Sequence, residues 1–272
     1  MSITIKLAVL AVLGAATVAS VRLLILPGLN IVSINLRFGS KARGQILGYA
    51  TSLPELVVVI SSAAAGVFDA GFWNIASSNI INWVLFLSAI FTYRQHHELA
   101  AKMFIDELIF GVVSVALPLG LFVMSAQTSI PLAGVLLLMF GLYRYLDYKV
   151  NDKPVAEKEE HAQRGARPTW LGIVILFAGV VAISVTGKFL GATAEDLVDD
   201  LQISAWLIGW VLGFITSIPE MSSFFLVYKV HKRQGKAHKL DDTQEALDAL
   251  VSSNMSNLGI ILPVGILIAA LI

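Results

Sequence analysis

Eight long apolar stretches, separated by short polar and mostly basic segments, set the pattern of the chain. They run from Ile3 to Leu26, Gly44 to Val67, Ala70 to Tyr93, Phe104 to Ser125, Ile130 to Tyr145, Thr169 to Phe189, Ile203 to Tyr228 and Ala246 to Ile272. A membrane-crossing helix needs roughly 20 largely apolar residues. The pattern therefore predicts an all-α integral membrane protein of about eight transmembrane helices, the fifth being the shortest. Lys6, the apolar run after it and Ala15-Ala16-Thr17-Val18-Ala19 imitate a signal peptide. The apolar character continues past Arg22 to Leu26, which favours a retained first helix.

Basic residues orient these helices. Arg37, Lys41 and Arg43 follow helix 1, Arg94 and Lys102 follow helix 3, and Arg144, Lys149, Lys153, Lys158, Arg164 and Arg167 surround the link after helix 5. Lys229, Lys232, Arg233, Lys236 and Lys239 follow helix 7, whereas the opposite side holds little more than Lys6 and Lys188. Short loops rich in Lys and Arg stay in the cytoplasm, so both termini are expected outside the cell membrane. The segment 149–168 is the one obvious linker. It splits a five-helix unit, 1–148, from a three-helix unit, 169–272.

Composition agrees. Of 272 residues 57% are hydrophobic and 14% charged, with a mean hydropathy of +0.79; a water-soluble domain carries roughly a quarter charged residues. Nineteen basic and nineteen acidic residues cancel, so no basic excess points to nucleic acid. Zero cysteines exclude disulfides, thiolate metal sites and cysteine nucleophiles.

The chain repeats itself. Gly48-Tyr49-Ala50-Thr51-Ser52-Leu53-Pro54-Glu55 in helix 2 returns as Gly213-Phe214-Ile215-Thr216-Ser217-Ile218-Pro219-Glu220 in helix 7. Ser77-Ser78-Asn79-Ile80-Ile81-Asn82 in helix 3 returns as Ser252-Ser253-Asn254-Met255-Ser256-Asn257 in helix 8. Five helices precede the second unit, an odd number, so the two units enter the membrane from opposite sides. Inverted-topology repeats of this kind place a binding site at their interface near the midplane. Glu55 stands eleven residues into helix 2, roughly 16 Å along it at 1.5 Å per residue.

An ionisable side chain at that depth costs on the order of 3 kcal/mol to insert and usually marks an ion pathway. Pro54 and Pro219 remove a backbone donor and break helices 2 and 7, freeing the carbonyls of Ala50 and Ile215. Thr51, Ser52 and Glu55 share a helix face by their spacing, as do Thr216, Ser217 and Glu220. Ser78 with Asn82, and Ser253 with Asn257, do the same across the site. These groups form an all-oxygen shell, which suits a hard cation. Calcium, tolerant of six to eight oxygens in flexible geometry, fits better than magnesium, and sodium fits the smaller subsites. Two carboxylates balance one divalent or two monovalent ions, and protons compete for them. A structural reading also exists: polar side chains often hold membrane helices together, and Asn74, Ser77, Asn79, Ser252 and Asn254 are expected mainly to pack.

The doubled blocks resemble the paired alpha repeats of the calcium/cation antiporter superfamily, whose Gly-Asn-Ser or Gly-Thr-Ser, then Leu or Ala, then Pro-Glu block precedes a Gly-Ser-Asn block. The resemblance spans both units. It implies exchange of calcium for sodium or protons by alternating access, with no cofactor, Glu55 and Glu220 as central ligands, and Thr51, Ser52, Ser78, Asn82, Thr216, Ser217, Ser253 and Asn257 around them. The sequence departs from the family at several places. Trp73 and Asp248 stand where glycine is usual, Ser77 and Ser252 replace a second glycine, and Asn257 occupies a place that is acidic in many sodium/calcium exchangers. The family commonly has ten helices and eight are expected here, in which case helices 4 and 5 would have no inverted counterparts unless a homo-oligomer supplies cover.

Other groups carry less. His96, His97, His161, His231 and His238 are expected in solvated cytoplasmic loops, and Glu195, Asp196, Asp199 and Asp200 outside, between helices 6 and 7, on a solvated helix face or drawing cations to the mouth. No phosphate loop, nucleophile triad or zinc motif appears, so no enzyme is expected. Two other functional classes remain at this point: a cation channel using the same oxygens, and a transport-inactive membrane scaffold or sensor.

Overall fold

The structure is a computed structural model that describes residues 2–36, 39–124, 129–150, 167–202, 204–233 and 240–272. The linker from 151 to 166 and residues 234–239 lie outside the described residues, and with them His161, His238 and the loop residues Lys153, Lys158, Arg164, Lys236 and Lys239. The same is true of the side chains of Glu195 and Asp199. Among the described residues, eight helices are long and apolar enough to cross a membrane. They are α1 (Ile3–Ser33), α2 (Lys41–Ala64), α3 (Phe68–Thr92), α4 (Lys102–Val123), α5 (Ile130–Lys149), α6 (Thr169–Thr193), α7 (Ala205–Arg233) and α8 (Asp241–Leu271).

The polarity of this bundle is inverted relative to a water-soluble protein. Ile109, Val112, Phe122, Leu138, Phe177 and Phe189 on α4, α5 and α6 are exposed, while Asn74, Asn79, Asn82, Ser253, Asn254 and Asn257 are fully buried. Lipid solvates the apolar exterior, whereas buried polar groups must find partners inside.

Two helices are interrupted at the repeated motif. The first half of α2 ends at Thr51 and the second begins at Leu53; in α7 the halves meet at Ser217. The hinge serines have matching backbones, φ −82° and ψ −1° at Ser52, φ −83° and ψ −6° at Ser217. Each N–H still reaches the glycine four residues back, Ser52 to Gly48 at 3.2 Å and Ser217 to Gly213 at 3.1 Å. Two residues later a proline has no N–H to donate. Thr51 Oγ1 and Ser52 Oγ then bond back to the Leu47 (3.1 Å) and Gly48 (2.9 Å) carbonyls.

The motif glycines let helices meet at backbone distance. A Cβ on Gly48 would overlap the Ala249 carbonyl and sit 2.8 Å from Ser253 N; one on Gly213 would overlap Ser77 Oγ and sit 2.9 Å from the Asn74 carbonyl. Gly44 and Gly209, one turn earlier, press likewise on Glu245 and Asp248, and on Ala70 and Trp73. The first half of α2 thus lies on α8, and the first half of α7 lies on α3, through corresponding residues.

Several expectations need correction. The helix of α1 continues to Leu36, through a wide turn at Val21–Ile25, and that of α6 to Leu201. Helical hydrogen bonding persists there beyond the apolar run. Asp196 and Asp200 lie, as expected, on an exposed helix face, that of the extended α6, and they pair there with the buried Lys6 of α1, Asp200 at 2.8 Å. His231 is in α7 rather than a loop, and it is buried against Glu245 of α8 at 3.2 Å.

Candidate cation-binding site

All ten side chains singled out in the sequence are buried: Thr51, Ser52, Glu55, Ser78, Asn82, Thr216, Ser217, Glu220, Ser253 and Asn257. Glu55 and Glu220 have 0% and 1% exposure and occupy the first turns of the second halves of α2 and α7. Helix N-termini carry partial positive charge, so each interrupted helix aims a favourable dipole at its own carboxylate. The two glutamates are near enough for the charge of one to act on the other. Neighbours are exchanged between halves: Thr216 of α7 stands by Glu55, and Thr51 of α2 by Glu220.

Asn79 and Asn254, expected mainly to pack, turn out to orient the site. Asn82 Nδ2 donates to Asn254 Oδ1 at 3.0 Å, and Asn257 Nδ2 donates to Asn79 Oδ1 at 2.9 Å. The other ends of Asn79 and Asn254 clamp each other's helices, each amide donating to the other's backbone carbonyl at 3.3 and 3.0 Å. The amide groups of Asn82 and Asn257 also reach across to Ser253 Oγ (3.5 Å) and Ser78 Oγ (3.3 Å). Ser78 and Asn82 on α3 face Ser253 and Asn257 on α8, and the hydrogen bonds run crosswise between the two pairs, joining α3 to α8. Ser52 Oγ adds a 2.8 Å contact with Ser253 Oγ.

With every one of these donors turned outward, the acceptors remain. Among the described residues, both oxygens of Glu55, Glu220 Oε2, Asn82 Oδ1 and Asn257 Oδ1 are buried and lack a hydrogen bond. An unmade hydrogen bond at a buried group costs about 1–3 kcal/mol, more when it is charged. Five such groups together would consume a large part of a typical stability of about 5–15 kcal/mol. The donor set is entirely oxygen, carries up to two negative charges and, among the described residues, has no Lys or Arg ion pair. Those properties suit a hard cation.

The sodium/calcium exchanger protein family matches this chain over residues 5–149 and 171–272. The chain belongs to that family. The putative antiporter CaxA of Alkalimonas amylolytica is 25% identical over 249 residues, spanning 89% of this chain and 74% of that protein. Two solved structures of the sodium-calcium exchanger NCX_Mj share the fold. One, soaked with sodium and without calcium, gives a TM-score of 0.56 at 22% identity, over 97% of this chain and 81% of that one. The other, soaked with sodium and strontium, gives 0.53 at 21% identity, over 98% and 83%. The family is one of cation transporters, and the eight apolar helices make this member an integral membrane protein.

Proposed function

We propose that the chain is a secondary antiporter that carries calcium in exchange for sodium or protons, with Glu55 and Glu220 sharing the ion. The single observation behind this reading is the set of five buried oxygens without a hydrogen bond, contributed by α2, α3, α7 and α8. Asn82 and Asn257 offer their carbonyl oxygens because Asn254 and Asn79 occupy their amide nitrogens. Thr51, Ser52, Ser78, Thr216, Ser217 and Ser253 line the surrounding subsites. Calcium accommodates this irregular oxygen shell better than magnesium.

In this reading the two units are inverted repeats, 1–148 and 169–272, and each supplies one glutamate. α1 and α6 lie against each other, with Thr17 Oγ1 and Thr186 Oγ1 3.0 Å apart, outside the four motif helices. Such a pair can shift without dismantling the ion shell, as alternating access requires. Neutral Asn257 in a place often acidic in the family removes one charge, which favours a lower sodium stoichiometry or proton coupling.

Calcium uptake into proteoliposomes, with sodium and pH gradients imposed separately, tests the proposal. Saturable uptake driven by one gradient is expected, and it should vanish in Glu55→Gln and in Glu220→Gln while both variants still insert. Uptake that persists in both variants, or that needs no counter-ion, would contradict it, the second outcome favouring a channel.

A further inference from the structure

We propose that Asp106, Glu107, Asp147 and Asp248 form a second divalent-cation site, separate from the central one and occluded by the ammonium group of Lys41. Four elements converge there: the start of α2 (Lys41), the first turns of α4 (Asp106, Glu107), the end of α5 (Asp147) and the early part of α8 (Asp248). Carboxylate oxygens of Asp106, Glu107 and Asp147 all lie within 4.8 Å of one another. Calcium with oxygens at about 2.3–2.6 Å places opposite ligands about 4.6–5.2 Å apart, so one ion fits between them.

Independent of that clustering, two deeply buried carboxyl groups of this region have oxygens without a hydrogen bond among the described residues. Glu107 is 4% exposed, and among the described residues neither of its oxygens has a hydrogen bond. The side chain next to it is another carboxylate, Asp106. Asp248, 2% exposed, has an equally bare Oδ2 and lies within electrostatic reach of Asp106, Asp147 and Glu107. Asp147, by contrast, is saturated. Lys41 Nζ contacts its Oδ1, while Gln45 Nε2 at 2.8 Å and Arg144 Nη1 at 3.1 Å reach Oδ2. Lys41 reaches Glu107 only at 3.9 Å.

The site has a mechanical consequence. Asp248 sits on the stretch of α8 that Gly44 of α2 touches, with Asp248 Cβ 2.8 Å from where a Gly44 Cβ would be. The same helix carries Ser253 and Asn257 of the central site. An ion here ties the ends of α4 and α5 to that helix, on the side where the basic loops place the cytoplasm, and so lets cytoplasmic divalent ions regulate transport.

Manganese binding, read by electron paramagnetic resonance on the purified full chain carrying Glu55→Gln and Glu220→Gln, tests this without the central site. One bound manganese per chain is expected to remain. Adding Glu107→Gln should weaken it at least about tenfold, and adding Lys41→Met, which removes the competing cation, should tighten it about tenfold. The Lys41 variant keeps the test decisive if the Glu107 variant folds poorly. No manganese retained in the Glu55/Glu220 variant, or an affinity indifferent to both additions, would overturn the proposal and leave a proton shared between Asp106 and Glu107 as the explanation. If the central reading is what fails, Glu55→Gln with Glu220→Gln will not lower the manganese count of the unmodified chain, while Glu107→Gln still will.

Discussion

The two copies of the motif share a backbone but not surroundings. In both, a glycine meets the opposing helix at backbone distance, a serine marks the interruption, and an asparagine is held by its counterpart's neighbour. Around Glu220 the polar groups are partly satisfied: Ser253 Oγ donates to its Oε1 at 3.3 Å and Ser52 closes on Ser253, while Oε2 has no hydrogen bond among the described residues. Around Glu55 they are not. Thr216 gives its proton to Asn74 Oδ1 at 3.2 Å, the corresponding residue on α8 being Ala249, and Ser217 Oγ has no hydrogen bond among the described residues. The helices that carry the amides differ too, since α8 passes through a wide turn at Asn257–Ile261 while α3 runs regularly through Asn82. Repetition supplies the geometry of a shared shell, and its imperfections make the two carboxylates unequal, with Glu55 the barer one.

The glycine contacts break or sharpen this comparison most strongly. Gly48→Ala drives a methyl into the Ala249 backbone, whereas Gly213→Ala first meets the Ser77 hydroxyl. Overpacking of this kind costs roughly 1–3 kcal/mol, and Gly48→Ala is expected to lower thermal stability and uptake more than Gly213→Ala. Adding Ser77→Ala should restore part of the loss in Gly213→Ala, while Ser252→Ala should restore nothing in Gly48→Ala. Equal rescue on both sides would show that the two contacts are of one kind.

A smaller effect is expected from the orienting amides. Asn254→Ala releases Asn82, and Asn79→Ala releases Asn257; each lost hydrogen bond is worth about 1 kcal/mol, which should raise the calcium KM of uptake several-fold with little change in maximal rate. Equal shifts would mean that both carbonyls coordinate. A shift confined to one variant would assign the ion to that side.

Much of this was legible in the chain itself, and the reason is repetition. A Ser-x-Pro-Glu block occurring twice, with a Ser-Asn partner after each copy, identifies ten side chains that the fold buries. What periodicity cannot report is which end of an amide faces a cavity, so Asn79 and Asn254 read as packing residues while in fact they aim Asn82 and Asn257. Likewise Asp106 and Glu107 look like ordinary acidic residues at a helix start, because their meeting with Asp147 depends on contacts between distant helices. His231 was misplaced for a related reason: hydropathy fades before the α7 helix ends, but packing against α8 continues.

The claim that Glu55 and Glu220 hold one ion together is tested most directly by locating it. Crystals grown with calcium, examined by anomalous scattering, should show a peak about 2.3–2.6 Å from carboxylate oxygens of both residues, with the carbonyl oxygens of Asn82 and Asn257 facing it. A central cavity without such a peak under saturating calcium, or an ion bound by one glutamate while the other turns away, would contradict the account.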